Sequence, residues 1–211
     1  MKEIGANSEK HNNLKAQIAL TMERENLIDF FPIMQEGFHV PAQVPCTVRD
    51  ILSDQFGLSN EYISERITTI FIDGKAIDSL DDSLIRNNST IALSAAMPGV
   101  VGATMRRGSY YAALRGAITF TDRGKADAGR EGMVCVKLFN MLLTELGPEF
   151  LNKGIVMTAA HLSDFFLQRP DSFWQGCREA LINGEHVTPT SLKQGNTFPA
   201  NGAIRLSIAF I

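Results

Sequence analysis

Thr68 to Gly102 reads TTIFIDGKAIDSLDDSLIRNNSTIALSAAMPGVVG, and the order of strand and turn signals inside it decides the fold class. Thr69-Ile70-Phe71-Ile72 is β-branched and aromatic, the composition a strand favours, and Asp73-Gly74 supplies a tight turn. Lys75-Ala76-Ile77 can return as a short strand. Asp78 to Asp82 is turn-rich, Leu84 is a lone apolar anchor, Asn87-Asn88 is a second turn signal, and Thr90 to Ala95 reads as a last strand.

The run from Ile72 to Gly102 resembles the second half of a ubiquitin-like β-grasp domain, in particular the small sulfur-carrier proteins of molybdopterin and thiamine synthesis. Asp73-Gly74-Lys75 matches that family's first turn, Leu84 to Ile91 its second, and Pro98-Gly99-Val100-Val101-Gly102 lies where its glycine-ended tail belongs. The resemblance covers about Phe38 to Gly102. Two features depart from it: there is no Gly-Gly pair, and more than a hundred residues follow Gly102.

Upstream, residues 1–15 are polar without a hydrophobic period and read as a flexible arm. Ala16 to Met22 reads as a first strand and Gly37 to Pro41 as a second, stopped by Pro45. Thr47 then caps a helix, with Asp50 three residues on, Val48, Ile51, Leu52 and Phe56 near helical spacing, and Gly57 as the stop. Residues 103–130 differ in kind: six basic side chains (Arg106, Arg107, Arg115, Arg123, Lys125, Arg130) face only Asp122 and Asp127, while the whole chain carries −3. Strand-like Ala117 to Thr121 lies within this connector, and GKADAGREG closes it as a linker.

Residues 131–211 repeat the first pattern. Gly154 to Thr158 resembles the Gly37 strand, His161 to Leu167 takes the place of the helix, and Ala180 to Val187 parallels the Asp73-Gly74 hairpin with Asn183-Gly184 at the turn. Ala203 to Phe210 parallels Thr90 to Ala95. Val134 to Met141 reads as the opening strand of this half, and Gly147-Pro148 starts a short helix. Convergent turn chemistry is the competing explanation and stays open. The expected architecture is α+β: two β-grasp-like lobes with mixed sheets, 16–102 and 131–211, joined by the basic connector 103–130.

With 211 residues, 45% of them hydrophobic, there is material for packed cores, and the net charge of −3 gives no global attraction to nucleic acid or an acidic membrane. Cys46, Cys135 and Cys177 form no Cys-x-x-Cys pair, and His11, His39, His161 and His186 lack metal-helix spacing, so no metal site is expected. No membrane span or signal-peptide core is legible, and a cytoplasmic location is the default. Nucleophile elbows, phosphate loops and dinucleotide fingerprints are absent, and no cofactor is expected. Asp78, Asp81 and Asp82 read as solvated turn residues, and Phe173 and Trp174 as a cap over the second core.

The composition of Pro98 to Gly108 favours an interaction surface. Its glycines permit close backbone approach and its arginines offer planar forks for carboxylate or phosphate, against the alternative of a crossover whose arginines pair internally. The candidate binding residues are therefore Gly99, Gly102, Arg106, Arg107, Tyr110, Tyr111 and Arg115.

The first functional expectation is a non-catalytic binding or scaffolding protein that holds a protein partner. The alternative is an anionic small-molecule-binding protein or enzyme with a pocket between the lobes, gripped by Arg106, Arg107, Arg115 and a tyrosine. A second copy of the chain also stays open as a partner. Sulfur-carrier chemistry would require cleavage after Gly99 or Gly102, because the chain ends in the apolar AIRLSIAFI, whose Phe210 and Ile211 are expected to lie in a sheet.

Overall fold

The computed structural model describes residues 14–95, 97, 99–120, 129–194 and 197–211, in a mixed α+β fold. Its strands are β1 (Leu14–Met22), β2 (Phe38–Val44), β3 (Cys46–Thr47), β4 (Thr69–Ile72), β5 (Lys75–Ala76), β6 (Leu84–Ile85), β7 (Thr90–Ser94), β8 (Arg130–Phe139), β9 (Ile155–Thr158), β10 (Cys177–Ile182), β11 (Glu185–His186) and β12 (Ala203–Phe210). Contacts group the chain into two units, one made of the residues up to Ile33 with Pro148–Ile211, the other of Met34–Gly147.

In the Met34–Gly147 unit the strand order is β2-β8-β7-β4-β5. β2 and β8 are antiparallel, β8 and β7 parallel, and β7, β4 and β5 antiparallel in turn. A parallel pair needs a crossover of a dozen or more residues. Residues 95–129 fill that need between β7 and β8, with a helix at Gly99–Met105 and a 3-10 segment at Tyr110–Ile118. The basic stretch is thus a crossover within one sheet, where a linker between lobes was expected. Its strand-like Ala117 and Ile118 end the 3-10 segment, and Thr119 bridges Ala76 beside β5. Thr121 and most of the glycine-rich end lie outside the described residues, while Arg130, Glu131 and Gly132 already belong to β8.

The helix after β2 starts where Thr47 predicts. Thr47 Oγ1 accepts from the Asp50 N–H at 3.1 Å and Asp50 Oδ2 accepts from the Thr47 N–H at 3.0 Å, a closed capping box. The helix Val48–Asp50 runs on as a π-type turn over Ile51–Gln55 and stops at Gly57, whose φ of +80° suits glycine. A further helix, Asn60–Glu65, lacks a counterpart in the sequence reading and is capped by Ser59. The core is formed by Val48, Ile51 and Leu52 with Ile70, Ile72, Ile91, Leu93, Val134, Val136 and Leu138, all fully buried.

In the other unit the order is β9-β12-β1-β10-β11. The relations run antiparallel, parallel, antiparallel, antiparallel, the same series as in the Met34–Gly147 unit. Here the parallel pair is β12 with β1, so no local crossover joins them. A helix, Ala159–Leu167, again follows the outer strand behind a threonine cap, with Thr158 Oγ1 accepting from the His161 N–H at 3.2 Å. Phe30, Phe165, Phe166, Phe173 and Trp174 form the aromatic core, Trp174 lying 5.3 Å from Phe166 ring to ring.

Three strands therefore sit elsewhere than expected. β1 pairs with β10 and β12, not with strands of residues 38–102, and it begins at Leu14, inside the expected arm. β8 belongs with β2 and β7, not with the second half. β12, expected to play the part of β7, lies beside β9, and β1 takes the β7 position next to a hairpin.

Candidate functional site

Period-two alternation splits the Met34–Gly147 sheet into a buried face and a half-open one. On β8 the buried side chains are Val134, Val136 and Leu138, so Cys135, Lys137 and Phe139 share the other face. On β7, Thr90 and Ala92 stand with them, and on β4, Phe71. The register sets Phe71 opposite Ala92 and Ala92 beside Lys137, so these three form one row across three strands. Ser94 pairs with Phe139 in the next row.

Small side chains on the middle strand and large ones on its neighbours leave a trough. It has a volume of about 400 Å³, with Ala92 and Ser94 as floor and Phe71, Phe139, Met97 and Lys137 among its walls. Asn140, at a left-handed φ of +57°, donates from Nδ2 to Ser94 Oγ at 2.9 Å and closes one end. The stem of Lys137 leans over Gly37, on the β2 side of β8. Gly37 has φ +118°, and a Cβ there would come within 3.2 Å of Lys137 Cε and 2.8 Å of Cys135 Sγ. Only glycine lets the lysine stem lie across this backbone.

The seven residues singled out in the sequence have separate places. Gly99, at φ +77°, opens the helix Gly99–Met105. Gly102 is buried, and a Cβ on it would meet the Met97 carbonyl oxygen at 2.0 Å, so its missing side chain lets this helix pack against the residue that walls the groove. Arg107 anchors the helix end: Nη2 donates to the Ile63 and Ile67 carbonyls at 3.1 and 3.2 Å, and its own N–H to Thr68 O at 2.9 Å. Burial, followed by the neighbouring Arg49 charge, lowers its pKa.

Arg115 is buried and paired through Nη2 with Asp78, while its Nε and Nη1 have no hydrogen-bond partner among the described residues. Asp78 is thereby drawn from a turn into the support of the crossover. Arg106 is exposed, and Tyr110 and Tyr111 are exposed and meet edge to face at 5.5 Å. Among the described residues the three arginines share no partner, and three of the seven residues, Gly102, Arg107 and Arg115, serve to hold the crossover.

Asp81 is chelated by Arg49, whose hydrogen bonds hold its carboxyl below the usual carboxylate range. Burial raises the thiol pKa of all three cysteines, that of Cys46 to about 11. Among the described residues no group of three or more His, Cys, Asp or Glu could hold a metal ion, and no helix is long and apolar enough to cross a membrane.

The groove residues Phe71, Ala92, Ser94, Lys137 and Phe139 escaped the sequence reading. A trace of them was present: VCVKLF at Val134 to Phe139 places one lysine on the side opposite an unbroken apolar face. Which strand would lie next to it is not written in that segment. Comparison with protein-family models, with curated proteins and with solved structures returns no match.

Proposed function

We propose that this chain is a non-catalytic binding protein built on two β-grasp-like units, and that its ligand occupies the groove on the Met34–Gly147 sheet. The shared series of strand relations, with a threonine-capped helix after each outer strand, supports the β-grasp reading and the descent of both units from one pattern. The observation that carries the function is the trough above Ala92: it is concave, largely apolar and walled by two phenylalanines, with a few polar groups at its rim. Its volume falls at the small end of the roughly 300 to 1,000 Å³ typical of small-molecule sites.

The test is a thermal-shift series with naphthoate, naphthamide and naphthylmethylamine on the wild type and on Ala92→Leu, which fills the floor. Binding to the folded state raises the melting temperature of the wild type and spares the variant. Equal shifts in both proteins, or none in either, would overturn the groove as the ligand site.

A second reading assigns the crossover to a protein partner with an acidic surface. Val100, Tyr110 and Leu114 are 80%, 93% and 73% exposed there, beside the exposed cation Arg106. Arg106→Glu with Tyr110→Ser should abolish capture of such a partner, and unchanged recovery would remove this role. Sulfur carriage after cleavage is the least supported reading, because Gly102 lies inside a helix and against the Met97 carbonyl.

A further inference from the structure

We infer that the groove takes an apolar monocarboxylate, with the carboxylate held by Lys137. This rests on the groove being the ligand site. Among the described residues Lys137 is the one charged residue in the lining, and no carboxylate pairs with it. Lys137 is a half-buried residue in a mostly apolar lining, and an anion there is drawn in by its charge.

The charge count narrows the class. A diphosphate or a nucleotide would ask for several cations or a nest of backbone N–H groups, and the described residues of the lining offer one lysine. A cationic ligand would be repelled. The apolar walls, Phe71, Phe139 and Met97, suit a flat or aliphatic body of limited size.

The site is also preorganised. The stem of Lys137 lies across Gly37, so part of the ordering of a long side chain is completed before a ligand arrives. Ser94 Oγ accepts from Asn140 Nδ2, which leaves the Ser94 O–H as a donor at the floor. A carboxylate would thus meet the Lys137 cation at one wall and a hydroxyl donor below.

Isothermal titration of the full chain with naphthoate, naphthamide and naphthylmethylamine separates this inference from the reading beneath it. Naphthoate should bind at least about tenfold tighter than naphthamide, the size of a charge-assisted hydrogen bond, and the amine should bind weakest. Lys137→Met keeps the stem and removes the charge, so naphthoate should fall to the naphthamide level while naphthamide binding is unchanged. Retained naphthamide binding also shows that the variant is folded. Equal affinity for naphthoate and naphthamide in the wild type, or undiminished naphthoate binding by Lys137→Met, would overturn the carboxylate assignment and leave the groove standing. Absence of binding by all three probes would overturn both.

Discussion

Asn183 and Gln17 are joined by two hydrogen bonds across the sheet: the Asn183 N–H donates to Gln17 O, and Asn183 Oδ1 accepts from the Gln17 N–H, both at 2.8 Å. In the other unit Asp73 and Thr90 exchange the same pair, at 2.9 and 2.7 Å. Asp73 and Asn183 also share a left-handed φ, +50° and +52°, each followed by a glycine of positive φ. A turn residue whose short polar side chain tolerates that conformation is therefore also the clasp between the hairpin and its neighbouring strand.

Asn183→Ala should cost about 1 to 2 kcal/mol, because the Gln17 N–H loses its acceptor and alanine disfavours a positive φ. Asn183→Asp keeps an oxygen in place, as Asp73 does, and should stay close to the wild type. Urea unfolding of both variants checks this, and equal losses would show that the clasp contributes nothing.

Deleting Ser207 to Ile211 should unfold the unit that contains β12. The expected weight on Phe210 and Ile211 shifts inward, since Ile211 is 63% exposed whereas Ile208 is fully buried. Burial of Ile208 alone is worth on the order of 1.5 to 3 kcal/mol. The deletion also strips the ladder from Ala19 to Met22 and the bond from the Ile211 N–H to Met22 O. Far-ultraviolet circular dichroism and a melting curve read the outcome, and an unchanged midpoint would contradict the placement of β12.

Thr69 is fully buried, and its hydroxyl has no hydrogen-bond partner among the described residues. Thr69→Val replaces that hydroxyl by a methyl of the same shape and keeps a β-branched residue in β4. It should stabilise the protein by about 1 to 2 kcal/mol, the cost of a buried unpaired polar group. A lower denaturation midpoint in urea would refute this.

Stability should fall with rising pH through the window set by Cys46. Its thiol is raised from 9.0 to about 11, first by burial and then by the charge of Asp50. Below the unfolded value both states hold the proton and nothing changes. Above it the unfolded chain releases the proton while the folded one keeps it, so the favourable contribution is lost up to the folded value. The loss is roughly 2 to 3 kcal/mol if complete. Cys46→Ala should flatten the difference between the two denaturation curves over this range, and parallel curves for wild type and variant would dismiss the assignment.

What the sequence determined by itself is local. The Asp73-Gly74 and Asn183-Gly184 turns, the Thr47–Asp50 capping box and the alternation of Thr90 to Ser94 each arise from contacts within a few residues, and each stands where its residues place it. The tertiary structure alone decided which strands became neighbours. A backbone ladder carries no partner label, so the sequence of β1 reads equally well beside β2 or between β10 and β12. The choice between them is a nonlocal one, made by the parallel β12 and β1 burying Ile18, Leu20, Leu206 and Ile208 together. The groove has the same origin. Alternation tells that Lys137 and Ala92 each stand opposite an apolar face, but only the register between β7 and β8 sets them side by side, and only the missing side chain of Gly37, on the β2 side of β8, leaves room for the lysine stem.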